Sequence, residues 1–435
     1  MLQDDYISFL STCKTERECI DFIKQELDSC GYKSLTDKCD KNNRLFYTIK
    51  MNKALIAFKL GKQPISKGMN ILCAHIDSPR LDIKQNPIFT KTGIAYLNTH
   101  YYGGIRKYQW LTLPLAIHGV VCKKNGEIKN IVIGEKESDP VFCISDLLPH
   151  LAKEQITKKV SDFVEGESLD VIIGNEPDMK DDKKYKEKIL EIIKEKYQIE
   201  DKDFYSSELE IVPAGPARYM GLDKSMIIGY GQDDRCCAFS AFKAFVSNNE
   251  IPEITQCLLL VDKEEIGSVG ATGLNSHLLE NAVSELVYNY YSENEYSLRK
   301  CLENSNILSC DVTSAYDSKY SDRFDMDNAS FLGKGPVLSK FTGYGGKYEA
   351  NDANPEYVAK IRSVLESKNI PYQVAELGKV DAGGGGTIAL YAAKYGMNTI
   401  DMGISVMSMH SPWEIINAKD IEYTFQAYKE FLYLM

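Results

Sequence analysis

The chain has 435 residues, of which 44% are hydrophobic, and a formal net charge of -11. This length predicts two structural domains, or one domain with an insertion, and the composition is typical of a globular protein with a substantial core. The negative charge argues against nucleic acid as the main partner, because neutralising phosphates requires clustered lysine and arginine.

The sequence also lacks the features of a membrane or exported protein. No apolar run reaches the roughly 18 residues that cross a bilayer, so we expect no membrane partner. The first residues, Met1 to Tyr6, are acidic and have neither the basic flank nor the apolar core of a signal peptide. We therefore expect a cytoplasmic protein.

The beginning of the chain predicts helix followed by strands. Residues 1–30 carry apolar side chains in a helical pattern, and residues 45–60 are typical of strands. The run Asn70–Ala74 is short and almost continuously apolar, as expected of a strand covered on both faces. It leads directly into His75.

The pattern changes over residues 92–225. Short strand-like segments such as Leu111–Val121 occur there, with turns such as Lys124–Gly126. The charged stretch from Lys180 to Asp203 contains isoleucine and leucine spaced for a helix with a solvated charged face. We expect residues 92–225 to form an inserted, β-rich domain.

From residue 226 onward, predicted strands alternate with predicted helices, which favours an α/β fold with a mostly parallel sheet sandwiched by helices. The predicted strands are 226–229, 257–261, 306–310 and 399–406, and the predicted helices are 235–247, 354–368, 387–395 and 418–433. Such sheets bind their ligands at the carboxyl ends of the strands. Residues 1–91 and 226–435 would together form this domain, which carries the chemistry.

A histidine and an aspartate follow the first buried strand. His75 ends the apolar run and Asp77 comes two residues later, so in extended backbone their side chains share a face. Asp77 could then accept the proton of one ring nitrogen and leave the other free to bind a metal ion. The alternative is a surface histidine beside a turn that Asp77 helps to form.

Paired carboxylates occur at two further points. Asp233 and Asp234 precede a helical run; Asp233 could bridge two metal ions, or the pair could cap the helix, with Asp234 as the better cap. Glu264 and Glu265 follow the apolar run Leu258–Val261 and point in different directions. One could bind metal while the other moves protons, and a solvated loop is the alternative.

Two single residues complete this pattern. Asp311 follows the strand predicted at 306–310, and His410 follows the apolar run Ile404–Met409. A turn role is the alternative for each. Jointly, these histidines and carboxylates supply the ligand types of a two-metal hydrolase.

A glycine-rich stretch, Asp381–Thr387, opens a predicted helix. It lacks the lysine of a P-loop and the spacing of a dinucleotide-binding loop, so we do not expect nucleotide binding. Gly384 and its neighbours could instead let backbone N–H groups approach a substrate carboxylate or peptide.

The motifs resemble the bacterial form of the M18 family of metallopeptidases, the aspartyl aminopeptidase family. The segments that carry the resemblance occur in family order over nearly the whole chain: Ala74–Arg80, Gly103–Lys107, Gly231–Arg235, Asp262–Gly267, Cys310–Tyr316 and Met409–Pro412. The resemblance implies an enzyme that removes N-terminal residues, acidic ones in many members, from peptides. It also implies a zinc-exopeptidase-like catalytic domain with an inserted dimerisation domain, and assembly of dimers into a homo-oligomeric dodecamer.

The resemblance further implies two divalent metal ions per subunit. His75 and Asp311 would bind one ion, Glu265 and His410 would bind the other, and Asp233 would bridge them. Zinc is the implied metal, with cobalt or manganese as substitutes.

Catalytic roles follow from the same resemblance. Glu264 would be the general base, and Asp77 would support His75. Two alternatives remain: an amidase or carboxypeptidase on a related two-metal scaffold, and a non-catalytic peptide-binding or assembly protein with structural metal. A structural metal site has no need of an additional carboxylate, and Glu264 supplies one, so we favour the aminopeptidase.

Substrate-binding residues are implied more loosely. Lys340 and Lys347 lie where the family places basic residues that contact substrate, and a lysine could pair with an acidic first side chain. Asp381 and Gly384 belong to the glycine-rich stretch, which differs from the eukaryotic form of the motif. His150 lies in a region that in the family reaches toward a neighbouring subunit.

Overall fold

The computed structural model describes residues 1–35, 41–177, 181–248 and 250–435. The chain divides into two compact units. The first comprises Met1–Asp77, Ala217–Met409 and Glu414–Met435, and the second comprises Ser78–Pro216 and His410–Trp413.

Helices and strands of the described residues are numbered in chain order. The helices are α1 (Leu2–Thr12), α2 (Glu16–Ser29), α3 (Val160–Phe163), α4 (Asp182–Tyr197), α5 (Gln232–Val246), α6 (Leu278–Glu285), α7 (Glu295–Glu303), α8 (Pro355–Ser367), α9 (Ala389–Ala393) and α10 (Ala418–Phe431). The strands are β1 (Lys33–Ser34), β2 (Leu45–Lys50), β3 (Ala54–Lys59), β4 (Met69–His75), β5 (Arg80–Lys91), β6 (Ile94–Tyr102), β7 (Leu115–Cys122), β8 (Ile128–Ile133), β9 (Val171–Asn175), β10 (Ser207–Pro213), β11 (Arg218–Met220), β12 (Met226–Gly229), β13 (Thr255–Val261), β14 (Asn306–Ser309), β15 (Thr313–Ser314), β16 (Val337–Ser339), β17 (Gly343–Tyr344), β18 (Gln373–Val374), β19 (Gly384–Gly385), β20 (Asn398–Gly403), β21 (Ser405–Val406) and β22 (Glu414–Asn417). Short 3₁₀ segments are Ile65–Lys67, Lys107–Trp110, Pro149–Leu151, Gln155–Thr157, Gly166–Ser168, Asp201–Ser206, Glu264–Ile266 and Ser318–Arg323, and Leu286–Tyr290 is a π-helical turn.

A nine-stranded sheet runs through the first unit in the order β1-β2-β3-β13-β4-β14-β20-β16-β18. Its central strands β13, β4, β14 and β20 are parallel to one another, whereas β3 is antiparallel to β13. The carboxyl ends of the central strands therefore meet at one edge, where the site residues were expected.

Helices cover both faces of this sheet. Leu72 and Ala74 of β4 belong to the core cluster that includes residues of α1, α2, α5, α8 and α10. Ile71 and Cys73, which point the opposite way, belong to the cluster that includes residues of α6, α7 and α9. The predicted α/β fold with a mostly parallel, helix-covered sheet is thereby confirmed.

Local sequence signals explain where key helices begin. At α2, the Thr15 side chain accepts a hydrogen bond from the Glu18 backbone, and the Glu18 carboxylate accepts one from the Thr15 backbone. This capping box fixes Glu16 in the first turn.

The strand predicted before Asp233 exists as β12, but it pairs with β11 and β22 in a separate three-stranded sheet.

The second unit contains a six-stranded antiparallel sheet in the order β8-β7-β10-β5-β6-β9. Helix α4 places Tyr185 beside Gly174 of β9, and its Tyr185 and Ile189 are buried. This helix lies within the charged stretch that predicted it; Lys180, where that stretch begins, lies outside the described residues. The prediction began the inserted domain at residue 92, but β5 (Arg80–Lys91) pairs with β6 and β10 and so lies in this sheet.

Among the residues that the structure describes, we find no helix with the combined length and apolar character that a membrane crossing requires.

Candidate metal centre

His75 is the last residue of β4, and its imidazole is buried with 1% exposure. Its Nδ1 lies 3.1 Å from the carbonyl oxygen of Asp77 and 3.3 Å from Asp77 Oδ1. A carbonyl oxygen can only accept, so Nδ1 carries the proton and donates. Nε2 lies 3.1 Å from Asp233 Oδ1 and 3.9 Å from Asp311 Oδ1. Nε2, the nitrogen that faces the carboxylates, is therefore the one that would lose its proton and bind a metal ion.

Asp233 reaches this point from the start of α5. Gly231 occupies the N-cap position with a φ of 72°, the Asp233–Asp234 peptide bond is cis, and the Asp233 backbone N–H donates to Glu414 Oε2 at 3.1 Å. Asp233 and Asp234 both have non-helical backbone angles, so regular helical geometry begins only after Asp234, but the Asp234 carboxylate makes no capping hydrogen bond.

Asp311 follows β14 by two residues and depends on a glycine in the neighbouring strand. A Cβ atom at Gly403, the last residue of β20, would lie 1.8 Å from the Asp311 carbonyl oxygen. A side chain at position 403 would therefore displace the backbone that holds Asp311. Glycine is required there for close packing.

Glu264 and Glu265 form a 3₁₀ turn directly after β13, and both side chains are half-buried. The Glu264 backbone N–H donates to Asp77 Oδ1 at 3.1 Å, and that of Glu265 donates to Asp77 Oδ2 at 3.2 Å. Asp77 thus orients the His75 ring and also holds the turn that carries both glutamates. The sequence analysis predicted that Asp77 supports His75, but not that it holds this turn.

These side chains form two overlapping groups of ligand atoms. Atoms of His75, Asp233 and Asp311 lie within 4.8 Å of one another, and so do atoms of His75, Glu264 and Glu265. Four carboxylates around one imidazole carry an excess of negative charge, which buried carboxylates tolerate only beside a cation.

The electrostatics of the site agree with that requirement. Burial raises the pKa of Asp311 well above its usual range; His75 opposes this shift, and the charges of Glu264 and Asp233 add to it. Burial lowers the pKa of His75, but hydrogen bonds with Asp233 and Asp77 outweigh it and hold that pKa well above its ordinary value. A divalent cation relieves the carboxylate repulsion, so the donor set fits a metal ion.

His410 belongs to the segment His410–Trp413, which groups with the second unit. Its ring is half-buried and its φ is 62°. Nδ1 lies 3.0 Å from the carbonyl oxygen of Gly104, to which it donates. Nδ1 is occupied by this hydrogen bond, so Nε2 is the nitrogen that would bind a metal ion. The strand predicted at 399–406 is divided into β20, which ends at Gly403, and β21 (Ser405–Val406), which pairs with β15 in a separate sheet.

The predicted substrate lysines converge on a single carboxylate. Lys340 contacts Asp352 Oδ1, and Lys347 Nζ lies 3.1 Å from Asp352 Oδ2. Lys347 also lies 3.8 Å from the centre of the Phe341 ring. All three charged side chains are between 42% and 48% exposed.

Two of the other predicted substrate residues lie close to Lys347. Lys347, Asp381 and Gly384 line one cleft of about 50 Å³ in the first unit. Gly384 pairs with Tyr344 in the β17–β19 ladder, and a Cβ atom there would lie 2.4 Å from the Gly343 carbonyl oxygen. Strand pairing alone therefore explains this glycine. His150 lies in the exposed 3₁₀ segment Pro149–Leu151 of the second unit.

One buried acid at the sheet edge escaped the sequence analysis. Asp401 lies in β20, in register with Ser309 of β14, and is 3% exposed. Burial raises its pKa to about 6, although the hydroxyls of Ser309 and Thr387 lower it. Its position as a single acidic residue within the apolar strand predicted at 399–406 could have identified Asp401 as a buried acid.

Comparison with known proteins identifies the family. The family model described as Aminopeptidase I zinc metalloprotease (M18) matches residues 9–432. The chain belongs to the M18 aminopeptidase family. It is 49% identical over 438 residues to a Clostridium acetobutylicum protein named "Probable M18 family aminopeptidase 1", covering 99% of this chain and 94% of the relative.

Solved M18 structures share the whole fold. The crystal structure of an M18 aminopeptidase from Thermotoga maritima superposes with a TM-score of 0.95 at 44% identity, covering 99% of this chain and 96% of that one. The yeast mApe1 dodecamer structure has the same fold, with a TM-score of 0.78 at 24% identity and coverage of 99% and 95%. This M18 chain is therefore an aminopeptidase of a zinc metalloprotease family, and the prediction of a metallopeptidase is confirmed.

Proposed function

We propose that this M18 aminopeptidase binds two zinc ions per subunit and removes N-terminal residues, preferentially aspartate and glutamate, from peptides. The observation that carries the proposal is the His75 imidazole, whose Nδ1 is held by Asp77 while its Nε2 faces Asp233 and Asp311. This is the geometry of a metal-binding histidine whose ring is oriented by a neighbouring acid.

The two proposed ligand sets share one residue, Asp233. His75 and Asp311 bind one ion, Glu265 and His410 bind the other, and Asp233 bridges. The separation of Asp233 from both His75 and Asp311 is short enough for a shared site, and the Nδ1–H of His410 bonded to Gly104 leaves Nε2 for coordination. Cobalt or manganese could replace zinc in a site of imidazole and carboxylate donors.

When bound, such ions polarise the scissile carbonyl group and lower the pKa of water. Glu264 acts as the general base: it accepts a proton from the attacking water and passes it to the leaving amine. Its backbone is fixed by Asp77, so the carboxylate is positioned before substrate arrives. Glu265, the next residue, has its backbone fixed by the same carboxylate and is assigned to the metal.

Acidic specificity would depend on the loop that carries Lys340 and Lys347. Their contacts with Asp352 show that this loop can neutralise a carboxylate. An acidic first side chain of the substrate would compete with Asp352 for the same two ammonium groups. Asp381 and Gly384, which line the cleft beside Lys347, would contact the substrate backbone.

The second unit is proposed to serve assembly. It would act as a dimerisation domain, dimers would form a dodecamer, and His150 would reach toward a neighbouring subunit; the yeast mApe1 structure is a dodecamer. We also propose that the enzyme acts in the cytoplasm.

The test is a comparison of initial rates on peptides that begin with Asp, Glu or Leu, with an N-acetylated Asp peptide as control, before and after metal removal. We expect cleavage of only the free-amine peptides, fastest with Asp or Glu, loss of activity without metal, and recovery with zinc. Metal analysis should give two ions per subunit, and one ion would contradict the bridged pair. Cleavage of the acetylated peptide would instead favour an amidase or carboxypeptidase, and faster cleavage of the Leu peptide would contradict the acidic specificity.

A further inference from the structure

A buried lysine lies beside the turn that carries the proposed base. Strand β3 is antiparallel to β13, with Leu55 opposite Leu260. Continuing this register by two residues places Lys53, just before β3, opposite Asp262, just after β13. A lysine that follows a turn in the sequence is therefore brought to the edge of the sheet where the metal centre lies.

Lys53 joins two buried carboxylates in the first unit. Its Nζ lies 2.8 Å from Oε1 of Glu16, in the first turn of α2, and 3.4 Å from Oδ2 of Asp262. The Lys53 side chain is 7% exposed, and both carboxylates are completely buried. The lysine therefore ties the start of a helix to the beginning of the Glu264 turn.

Asp262 in turn closes the loop that follows β13. Its backbone N–H donates to the Thr272 carbonyl oxygen at 3.1 Å, and its Oδ2 accepts from the Thr272 hydroxyl at 2.8 Å. The next residue, Lys263, has a φ of 70°, and Glu264 begins the 3₁₀ turn. The turn is thus fixed at its start by Asp262, and at Glu264 and Glu265 by the Asp77 carboxylate.

Stability alone does not account for such a group. Replacing a buried ion cluster by neutral side chains of similar size is often neutral or stabilising, whereas removing one partner is strongly destabilising. What the cluster provides is a fixed position for Asp262, two residues before Glu264. A displacement of a catalytic group by about 1 Å can lower the rate about 100-fold.

We propose that Lys53 is a positioning residue, which acts through Asp262 to fix the turn that carries Glu264 and Glu265. This inference rests on the proposed function, in which Glu264 is the base and Glu265 binds metal. Lys53 itself touches neither substrate nor metal in this role.

Lys53→Met tests the inference, and Lys59→Met is its matched control. Lys59 is equally buried, at the other end of β3, and bonds to the carbonyl oxygens of Phe245 and Asn248 instead of to the turn. Both variants should melt at a lower temperature than the wild type. Only Lys53→Met should lower kcat, by about 10-fold to 100-fold, with KM changed less than about twofold.

Hydrogen exchange of the metal-free chain gives a readout that does not depend on activity. The amides of Glu264 and Glu265 should exchange at least about 10-fold faster in Lys53→Met than in Lys59→Met, because the turn opens locally. Equal exchange and equal kcat in the two variants would overturn the inference.

A neutral triple variant, Glu16→Gln with Lys53→Met and Asp262→Asn, covers the case in which Lys53→Met does not fold. It neutralises all three side chains together, so its melting temperature should be close to that of the wild type, while kcat stays low. Wild-type kcat in this variant would show that the ion cluster does not position the turn. A wild-type enzyme that is inactive on every free-amine peptide would instead overturn the proposed function, and this inference with it.

Discussion

Lysine–carboxylate contacts hold two loops of the first unit, and they differ in exposure. In the cluster of Lys53, Glu16 and Asp262, the side chains are between 0% and 7% exposed. In the contacts of Lys340 and Lys347 with Asp352, they are between 42% and 48% exposed. The first group adjoins the proposed base, and the second lies in the loop proposed to recognise the substrate side chain.

The difference in burial has an energetic consequence. An exposed ion pair contributes about 0–1 kcal/mol and is screened by salt, whereas removing one partner of a buried pair costs about 3–5 kcal/mol. If Lys53 positions the turn that carries Glu264 as proposed, this turn is held in place before substrate binds. The loop that carries Lys347 can exchange Asp352 for another carboxylate at little cost. Under the proposed function, catalysis and recognition of the substrate side chain would thus belong to different parts of the first unit.

The largest effect on activity is expected for Glu264→Gln, in the turn next to the buried cluster. The amide keeps the size of the side chain but cannot accept the proton of the attacking water, so kcat should fall by about 100-fold to 10,000-fold. Metal content, measured on the same sample, should stay unchanged. Unchanged turnover would remove Glu264 as the base.

A buried carboxyl group, Asp420 of α10, should make the free energy of unfolding depend on pH. Its carboxylate accepts hydrogen bonds from the Gly333 and Gly335 backbones at 2.8 and 2.9 Å, and burial raises its pKa to about 6 although these bonds lower it. Because the folded-state pKa is raised, the protonated acid stabilises the fold most below about pH 4, and this contribution is lost as pH rises to about 6.

The free energy of unfolding should therefore change differently in wild type and Asp420→Asn, since the amide does not titrate. Between pH 4 and 6 the wild type should lose about 1–3 kcal/mol relative to the variant. Denaturant unfolding at each pH measures the difference. A difference that stays constant with pH would show that Asp420 does not titrate in this range.

Asp77→Asn tests the connection between the metal centre and the turn that carries Glu264. The amide nitrogen cannot accept one of the two N–H bonds from Glu264 and Glu265, and it no longer offers a charged acceptor to His75 Nδ1. Metal affinity or kcat should fall by about 10-fold to 100-fold. Wild-type values for both would show that the Asp77 contacts do not support the site.

The sequence predicted the parts of this molecule that depend on local pattern. The strand run before His75 and the run before Glu264 are continuous apolar segments, so β4, β13 and the edge where they meet could be predicted. The Lys53 contact could not, because it depends on the register of β3 against β13, more than 200 residues away along the chain.

Gly384 shows the same limit from the opposite direction. The glycine-rich stretch around it suggested that a ligand approaches this backbone closely. The group that a Cβ atom at Gly384 would meet first is instead the Gly343 carbonyl oxygen, on a strand that no local pattern predicts. Likewise, the sequence placed Asp234 directly before the regular helix, where its backbone is indeed non-helical, but its buried carboxylate makes no capping hydrogen bond.

The smallest effect on stability is expected for the exposed contacts of Lys340 and Lys347 with Asp352. Asp352→Asn removes the carboxylate that both Lys340 and Lys347 contact, and because these pairs are exposed, the free energy of unfolding should change by less than about 1 kcal/mol. The specificity should change more than the stability: with no internal carboxylate to displace, KM for Asp-terminated peptides should fall while KM for Leu-terminated peptides stays the same. Lys347→Met should act in the opposite direction on the same ratio. If Asp352→Asn leaves the Asp/Leu ratio of kcat/KM unchanged, the two lysines do not contact the first side chain of the substrate, and the loop that carries them serves another purpose.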